Sequence, residues 1–292
     1  MSKKVLITGT SGGFGMLSVK ALLEKGHKVT AAMRNTNTKN KEVAAELKNA
    51  GAHVVEIDVT DDNSVNNGVQ DAINAMGGLD VVVNNAGVGV LGMQEHFTPE
   101  DFKKLFDVNV FGVQRVNRAA IPHLRKNNSG LIIYISSLLG RMCLPFYGPY
   151  NASKWALEAV AENYRTELSG FGIENCLVEP GGFPTSFFDK LIQPGDQSRN
   201  AEYGEFINAP KQMFDAFEGA LAGNPDQKPE NVAHAVLNLI ESGSGKRPFR
   251  TTVDKMGMGD ALKQYNEDLE NIHKGILGNF EMAHMLETKV PA

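Results

Sequence analysis

The sequence predicts a doubly wound α/β fold, a parallel sheet of seven strands with helices on both faces. Three observations carry this. Short β-rich runs alternate with helical patterns along the chain, the pattern of right-handed βαβ units. Most of the runs are apolar on both faces, as strands covered by helices on each side should be. The first run breaks into glycines and then into a helical pattern: Val5-Leu6-Ile7-Thr8-Gly9-Thr10-Ser11-Gly12-Gly13-Phe14-Gly15.

The strands are expected at Val5–Thr8, Val29–Ala32, Val54–Ile57, Val81–Asn84, Leu131–Ser136, Asn175–Glu179 and Phe249–Val253. After the glycines, Met16, Val19, Leu22 and Leu23 fall at helical spacing. Thr98-Pro99-Glu100-Asp101 reads as an N-cap with proline at the first helical position, and Phe102, Leu105, Phe106, Val110 and Val113 mark the helix that follows. Beyond Thr185 the character changes. Residues 186–230 are rich in aromatics (Phe187, Phe188, Tyr203, Phe206, Phe214, Phe217) and in turn formers such as Pro194, Gly195, Pro210, Gly223 and Pro225. A helix is expected from Pro229 to Ile240, and a peripheral helical tail from Met256 to Ala292. There is no internal repeat, and no linker marks a second unit, so residues 1–292 are read as a single domain.

Bulk properties narrow the function. A chain of 292 residues can bury a large core as one domain. Its 29 basic and 34 acidic residues give a net charge of −5, which argues against nucleic acid as a partner. No apolar segment is long enough to span a membrane, and the N-terminus runs straight into the first strand, so neither a membrane partner nor a signal peptide is expected. Cys143 and Cys176 are far apart and suggest no disulfide framework, consistent with the cytoplasm. The seven histidines show no metal-ligand spacing, so no metal site is expected.

Two motifs point to chemistry. Glycines are needed where φ is positive and where backbone must approach a pyrophosphate, and the N-terminus of the helix that follows favours an anion. An ordinary tight turn would also use glycines. Placement after the first strand of an α/β pattern favours nucleotide binding. Farther on, Tyr150 and Lys154 stand at i and i+4, on one face of a helix. An ammonium beside a phenol favours the phenolate and lowers a tyrosine pKa from its usual ~10. Alone, this spacing is common on solvated helices.

Together these stretches resemble the short-chain dehydrogenase/reductase family, single-domain branch. Thr8 to Gly15 matches its TGxxxGxG turn, Asn84-Asn85-Ala86-Gly87 its NNAG motif, and Tyr150-Asn151-Ala152-Ser153-Lys154 its YxASK. Ser137 resembles its catalytic serine, and Pro180-Gly181-Gly182-Phe183-Pro184-Thr185 its PGxxxT. The likeness covers roughly residues 4–190, in order and spacing. It implies a Rossmann-type fold with a cofactor-binding part at 1–185 and a substrate loop with C-terminal extension at 186–292. It also implies four catalytic residues. Tyr150 gives the proton to the substrate oxygen, and Lys154 lowers its pKa and holds the nicotinamide ribose. Ser137 steadies the oxygen, and Asn109 positions a water in a proton relay. Ser136 rivals Ser137 on composition; the thirteen-residue spacing to Tyr150, as in the family, selects Ser137. Asn109 also fits a helix-kink asparagine that satisfies a freed backbone group.

For the cofactor, the resemblance places Gly9, Ser11, Gly13, Phe14 and Gly15 at the phosphates, and Asp58 and Val59 at the adenine. Asn85, Ala86 and Gly87 line the adenosine, and Pro180, Gly181, Phe183 and Thr185 lie by the nicotinamide, with Tyr150 and Lys154. Asn85 also fits a tie between strands, and Asp58 a strand-end turn cap. NAD binding usually needs an acidic residue at the end of the second strand, about 20 residues past the glycines. Here Met33 takes that place and Arg34 follows, with Asn35, Thr36 and Ser11 able to add hydrogen bonds. A guanidinium binds a 2′-phosphate. NADP(H) is therefore expected over NAD(H), although Arg34 stacked on adenine would leave selectivity weak.

The loop between Ser137 and Tyr150 carries Leu138, Leu139, Met142, Cys143, Leu144, Phe146 and Tyr147. Such a lining favours an apolar ketone, aldehyde or keto ester, although many of these and the later aromatics also fit core or subunit interface. The expected activity is NADPH-dependent reduction of such a carbonyl, reversibly, by a carbonyl reductase or alcohol dehydrogenase. Rival readings are a nucleotide-sugar epimerase-like member or a catalytically idle NADP-binding sensor or scaffold. Relatives are often dimers or tetramers, so a homo-oligomer is a natural assembly unless the C-terminal extension blocks it.

Overall fold

The computed structural model describes residues 2–289; the last three residues of the expected helical tail lie outside them. Seven strands, β1 (Lys4–Thr8), β2 (Lys28–Met33), β3 (His53–Glu56), β4 (Val81–Asn84), β5 (Gly130–Ile135), β6 (Ile173–Pro180) and β7 (Arg250–Val253), form one sheet in the order β3-β2-β1-β4-β5-β6-β7. Every neighbouring pair is parallel. The helices are α1 (Gly13–Glu24), α2 (Lys41–Asn49), α3 (Asp62–Met76), α4 (Pro99–Phe106), α5 (Gly112–Lys126), α6 (Gly148–Ser169), α7 (Ala209–Ala222), α8 (Glu230–Glu241) and α9 (Asp260–Asn279).

The strand pleat sorts the core into two layers. Val5, Ile7, Val29, Ala31, Val81 and Val83 pack against Val19 and Leu22 of α1, Leu47 of α2 and Val236 of α8. Leu6, Val82, Ile132 and Tyr134 face the other way, onto Val65 of α3, Val116 of α5 and Leu157 of α6. The sheet is therefore doubly wound. β1 pairs with β2 on one side and β4 on the other, and this reversal opens a crevice beyond the carboxyl ends of the strands.

The expected Thr98 cap is a full capping box. The Thr98 hydroxyl accepts from Asp101 N–H, and the Asp101 carboxylate accepts from Thr98 N–H. Between α4 and α5 the chain makes a single π-helical turn, Asp107–Phe111, with Asn109 buried inside it. Among the described residues no helix is long and apolar enough to cross a membrane, and no group of three or more His, Cys, Asp or Glu is placed to hold a metal.

Candidate active site

One cavity of about 520 Å³ opens along the carboxyl edge of the sheet, with the glycine turn at one end and the Ser137–Tyr150 segment at the other. The turn leaves β1 at Thr8. Gly9 has φ 71°, and a β-carbon there would sit 2.7 Å from Ala86 Cα, so both conformation and space exclude a side chain. Gly13 opens α1 at φ 51°, with Thr185 against it. No side chain caps α1, which leaves its first N–H groups for a ligand. Gly15 is absent from the cavity wall. A β-carbon there would fall 2.6 Å from the Gly9 carbonyl oxygen, so it permits close packing of α1 on the turn rather than lining the site.

Asn85 ties neighbouring strands, as one of its two readings had it. Its Nδ2 donates to the carbonyls of Thr8 (2.8 Å) and Gly9 (3.0 Å). Thr8 Oγ1 accepts in return from the Asn85 and Ala86 N–H groups, each at 3.1 Å. Asn85, Ala86 and Gly87 all line the cavity, so the tie and the lining hold together.

At the end of β2, Met33 is buried and Arg34 points outward, its Nη1 3.6 Å from Asp58 Oδ2. Asn35 adopts φ 55°. Asp58 does cap its turn, since Oδ1 accepts from Thr60 N–H (3.0 Å) and Thr60 Oγ1 (2.7 Å), yet it also lines the cavity with Val59 and Ser11. Burial would raise the Asp58 carboxyl, but the Thr60 hydrogen bonds and the Arg34 guanidinium hold it below its ordinary value. Thr36 behaves otherwise than expected, because its hydroxyl donates to Glu56 at 2.7 Å. Near Arg34, sequence reasoning missed the lining residues Lys39 and Asn40. Asn40 Nδ2 donates to the Arg34 carbonyl at 2.6 Å. The available signal was a second cation five positions after Arg34, in a polar run.

At the other end, Ser137 follows β5, and Tyr150 and Lys154 rise from the first turns of α6. All three line the cavity. Lys154 Nζ donates to the Ile135 carbonyl at 2.8 Å and lies 5.6 Å from the Tyr150 ring centre. Burial pushes the Tyr150 phenol up to about 12, against a hydrogen bond from Ser137 that lowers it. Burial brings the Lys154 ammonium down to about 8, with Glu158 acting the opposite way. Desolvation and the neighbouring Tyr147 phenol thus govern Tyr150 here, while the Lys154 ammonium is turned to the Ile135 carbonyl. Ser136 also borders the cavity, but its hydroxyl is engaged elsewhere, donating to Glu158 at 2.7 Å. Asn109 does not serve its own helix. Its amide bonds both the N–H and the carbonyl of Val88, each at 2.9 Å, and Ser153 Oγ at 3.0 Å. A β-carbon on Gly87 would meet Asn109 Oδ1 at 3.5 Å and Lys154 Nζ at 3.9 Å, so these three groups converge.

The remaining wall is apolar. Phe187 packs on Tyr150 (5.9 Å between ring centres), Phe188 on Phe187 (5.8 Å), and Phe217 on Phe188 (5.5 Å). Leu139, Met142, Leu144 and Tyr147 face them, with Met213 and Met258 completing the wall from α7 and from beyond β7. Pro180, Gly181, Phe183 and Thr185 line the same space, with Phe183 packed edge-on against Phe14. Phe146 is turned aside onto Phe206, over a second, shallow pocket that also includes Cys143.

A doubly wound sheet with a glycine turn at its crevice, and Ser, Tyr and Lys on the wall opposite, defines a nucleotide-dependent dehydrogenase. The short chain dehydrogenase family model matches residues 3–194, and the chain belongs to the short-chain dehydrogenase/reductase family as an oxidoreductase. A 3-ketodihydrosphingosine reductase from Bacteroides thetaiotaomicron is 36% identical over 250 residues, 85% of this chain and 87% of the relative. An alcohol dehydrogenase from Thermococcus sibiricus, solved with 5-hydroxy-NADP, superposes with TM-score 0.67 at 26% identity, over 86% of this chain and 95% of its own. A 3-ketoacyl-(acyl-carrier-protein) reductase from Brucella melitensis, solved with NADH, gives TM-score 0.72 at 25% identity, over 86% and 96%. Structures of this family thus hold either nicotinamide cofactor.

Proposed function

We propose that this protein is an NADP(H)-dependent carbonyl reductase, acting reversibly as an alcohol dehydrogenase, on apolar ketones, aldehydes or keto esters. The observation that carries the reading is the single cavity that joins the Gly9–Gly13 turn and Arg34 to Ser137, Tyr150 and Lys154. The part up to residue 185 serves the cofactor, and residues between Ser186 and Met258 supply the substrate wall, as one working unit.

The residues present fit a nicotinamide dinucleotide. The backbone at Gly9 and Gly13 has no room or no conformation for side chains, the α1 N–H groups are uncapped, and Arg34 and Lys39 supply cations where a 2′-phosphate would lie. When bound, the nicotinamide supplies or accepts the hydride. Tyr150 gives its proton to the substrate oxygen. Ser137 donates a hydrogen bond to the same oxygen and stabilises the charge that grows there. Lys154 holds positive charge beside the phenol, and Asn109, fixed by Val88 and Ser153, carries the proton path onward from Lys154. The phenylalanine wall excludes water and receives the carbon chain of the substrate. The relative named for a long-chain keto lipid supports an extended apolar body.

The test is NADPH oxidation with a panel of ketones of rising chain length, for wild type and Tyr150→Phe. The wild type should turn over the apolar members, and Tyr150→Phe should lose about 10²–10⁴-fold in kcat while still binding NADPH. A variant with turnover near that of wild type removes Tyr150 from the role; a wild type that oxidises no NADPH with any ketone refutes the reading.

A further inference from the structure

The face of α6 that carries Tyr150 and Lys154 continues one turn further, to Glu158, which is 1% exposed. An ionised carboxylate at such a place is tolerated only with partners around it. They come from the end of β5, the Ser137–Tyr150 segment and β7, and a second buried carboxylate competes for them. Ser136, at the end of β5, donates its hydroxyl to Glu158 Oε1 at 2.7 Å. Arg141, between Ser137 and Tyr150, brings Nη2 to 2.5 Å from Glu158 Oε2. Arg250 of β7 brings Nε to 3.3 Å from the same oxygen. Glu179 of β6, fully buried, shares both arginines, Arg141 at 3.5 Å and Arg250 at 3.3 Å, and accepts from Thr252 (3.0 Å) and from Asn266 of α9 (2.9 Å). From its own helix, Glu158 faces Lys154 and shares its arginines with Glu162.

None of these groups except Lys154 and Ser136 lines the cavity, but the cluster grips the segment that does. Ser136 precedes Ser137 and Arg141 follows it by four residues, so the Ser137 loop is held to α6 on both sides. The fit is close, since a β-carbon on Gly140 would stand 2.8 Å from both Glu158 Oε1 and Ser136 Oγ. We propose that Glu158 is a positioning residue for the reaction: it clamps the Ser137 loop onto the helix bearing Tyr150 and Lys154, and it sets a carboxylate one turn from the Lys154 ammonium. This rests on the oxidoreductase reading above.

The same geometry makes the clamp titratable. Burial, together with Glu179, pushes the Glu158 carboxyl up to about 7, against Arg141, Arg250 and the Ser136 hydrogen bond. Below that pH Glu158 takes up a proton, the pull on Arg141 weakens, and Lys154 loses its counter-charge. Glu158 is ionised above about 7 and Lys154 below about 8, so the two charges coexist in a narrow band.

The experiment uses the full chain with Glu158→Gln, which keeps the shape and removes the charge. NADPH affinity should stay within about threefold, kcat should fall about tenfold, the low end of what small misplacement costs, and KM should change little. The acid limb of the kcat–pH profile near 7 should vanish in the variant, and the alkaline limb should move to lower pH. Glu158→Asp should restore part of kcat. An unaltered pH profile with kcat within about twofold of wild type overturns the proposal. Should Glu158→Gln fail to fold, Ser136→Ala decides instead: Glu158 still titrates there but loses the hydrogen bond that holds its carboxyl down, so the acid limb should move to higher pH and kcat should fall about threefold; an unmoved acid limb with unchanged kcat overturns the proposal there too. Infrared titration of the wild type reads Glu158 without any substrate. A band of a protonated buried carboxyl should grow as pH falls through about 7 and be missing from Glu158→Gln. Its absence from wild type refutes the titration, whereas a wild type that neither binds NADPH nor reduces a ketone refutes the proposed carbonyl-reductase function and leaves the infrared result standing.

Discussion

Removing Arg34 tests the cofactor assignment most directly. The side chain is 55% exposed, and its Nη1 already lies 3.6 Å from Asp58 Oδ2, so a phosphate would meet a solvated and partly shared guanidinium. A charge-assisted hydrogen bond is worth about 1.5–3 kcal/mol, and this exposure and competition put Arg34 just below that range, at about 1.4 kcal/mol or tenfold. Lys39 is a second exposed cation on the same wall. The assay is steady-state kcat and KM with NADPH and NADH, for wild type, Arg34→Ala, Lys39→Ala and the double variant, at low and high salt. Arg34→Ala should raise KM for NADPH about tenfold at unchanged kcat and leave NADH efficiency untouched. Lys39→Ala should do the same more weakly, and high salt should erode the preference in wild type. Installing an aspartate at Met33 is the poorer route to an NADH enzyme, because Met33 is 2% exposed and registers with Glu56 of β3, so the new charge would be buried near another carboxylate. Equal efficiency with the two cofactors in wild type, or an unchanged ratio in the double variant, would refute the reasoning.

Ser137→Ala should lower kcat/KM by about 10²-fold or more, the cost of losing an oxyanion donor, whereas Ser136→Ala should cost much less because its hydroxyl is spent on Glu158; the reverse ranking on any accepted ketone would show that the wrong hydroxyl is assigned. Lys154 gives a stability prediction with a definite sign. Its folded value, about 8, lies below its ordinary 10.5, so the unfolded chain binds more protons between those values and wild-type stability from this group rises with pH across that window. The melting temperature of wild type minus that of Lys154→Met should therefore increase from pH about 8 to about 10, and a flat or falling difference in paired melts would contradict a buried, desolvated Lys154.

What was legible in the sequence was what short patterns encode. Each of the seven strands lies within two residues of its expected range at either end; runs apolar on both faces located the inner ones, while the edge strands β3 (His53–Glu56) and β7 (Arg250–Val253) are only partly buried and carry polar residues. The Thr98 cap was equally local, a four-residue motif with a known hydrogen-bond scheme. The site residues came together because βαβ winding delivers every strand's carboxyl end to one edge. Failures of the reading were of contact rather than of pattern. Gly15 sits in the motif, but only the packing of α1 on Gly9 reveals that it faces the turn and not the cavity. Phe146 has the composition of a lining residue, yet it turns onto Phe206, sixty residues away. Met258 reaches the wall through the course of the chain after β7, which no spacing announces. The Glu158 cluster draws on β5, the Ser137 loop, α6, β6 and β7, and its only sequence trace was an i+4 step beyond Lys154.

The Tyr150 and Lys154 shifts, opposite in sign, serve one end. Burial favours the neutral form of each, raising the phenol to about 12 and lowering the ammonium to about 8. At neutral pH Tyr150 is therefore fully protonated, while Lys154 still carries most of its charge. For a donor this is sufficient. An alkoxide forming on the substrate is about as basic as hydroxide, whose conjugate acid titrates near ~15.7, so the proton moves downhill from a phenol at about 12. The opposite direction starts from a phenolate, the form that burial disfavours at Tyr150. Alcohol oxidation then depends on drawing the Tyr150 value down, and the ammonium available to do so is bonded to the Ile135 carbonyl, 5.6 Å from the ring centre. In the proposed mechanism the chain's own electrostatics thus ask less of carbonyl reduction than of alcohol oxidation at neutral pH. Raising the pH offers oxidation limited help, since Lys154 begins to lose its charge near 8, well before Tyr150 begins to ionise.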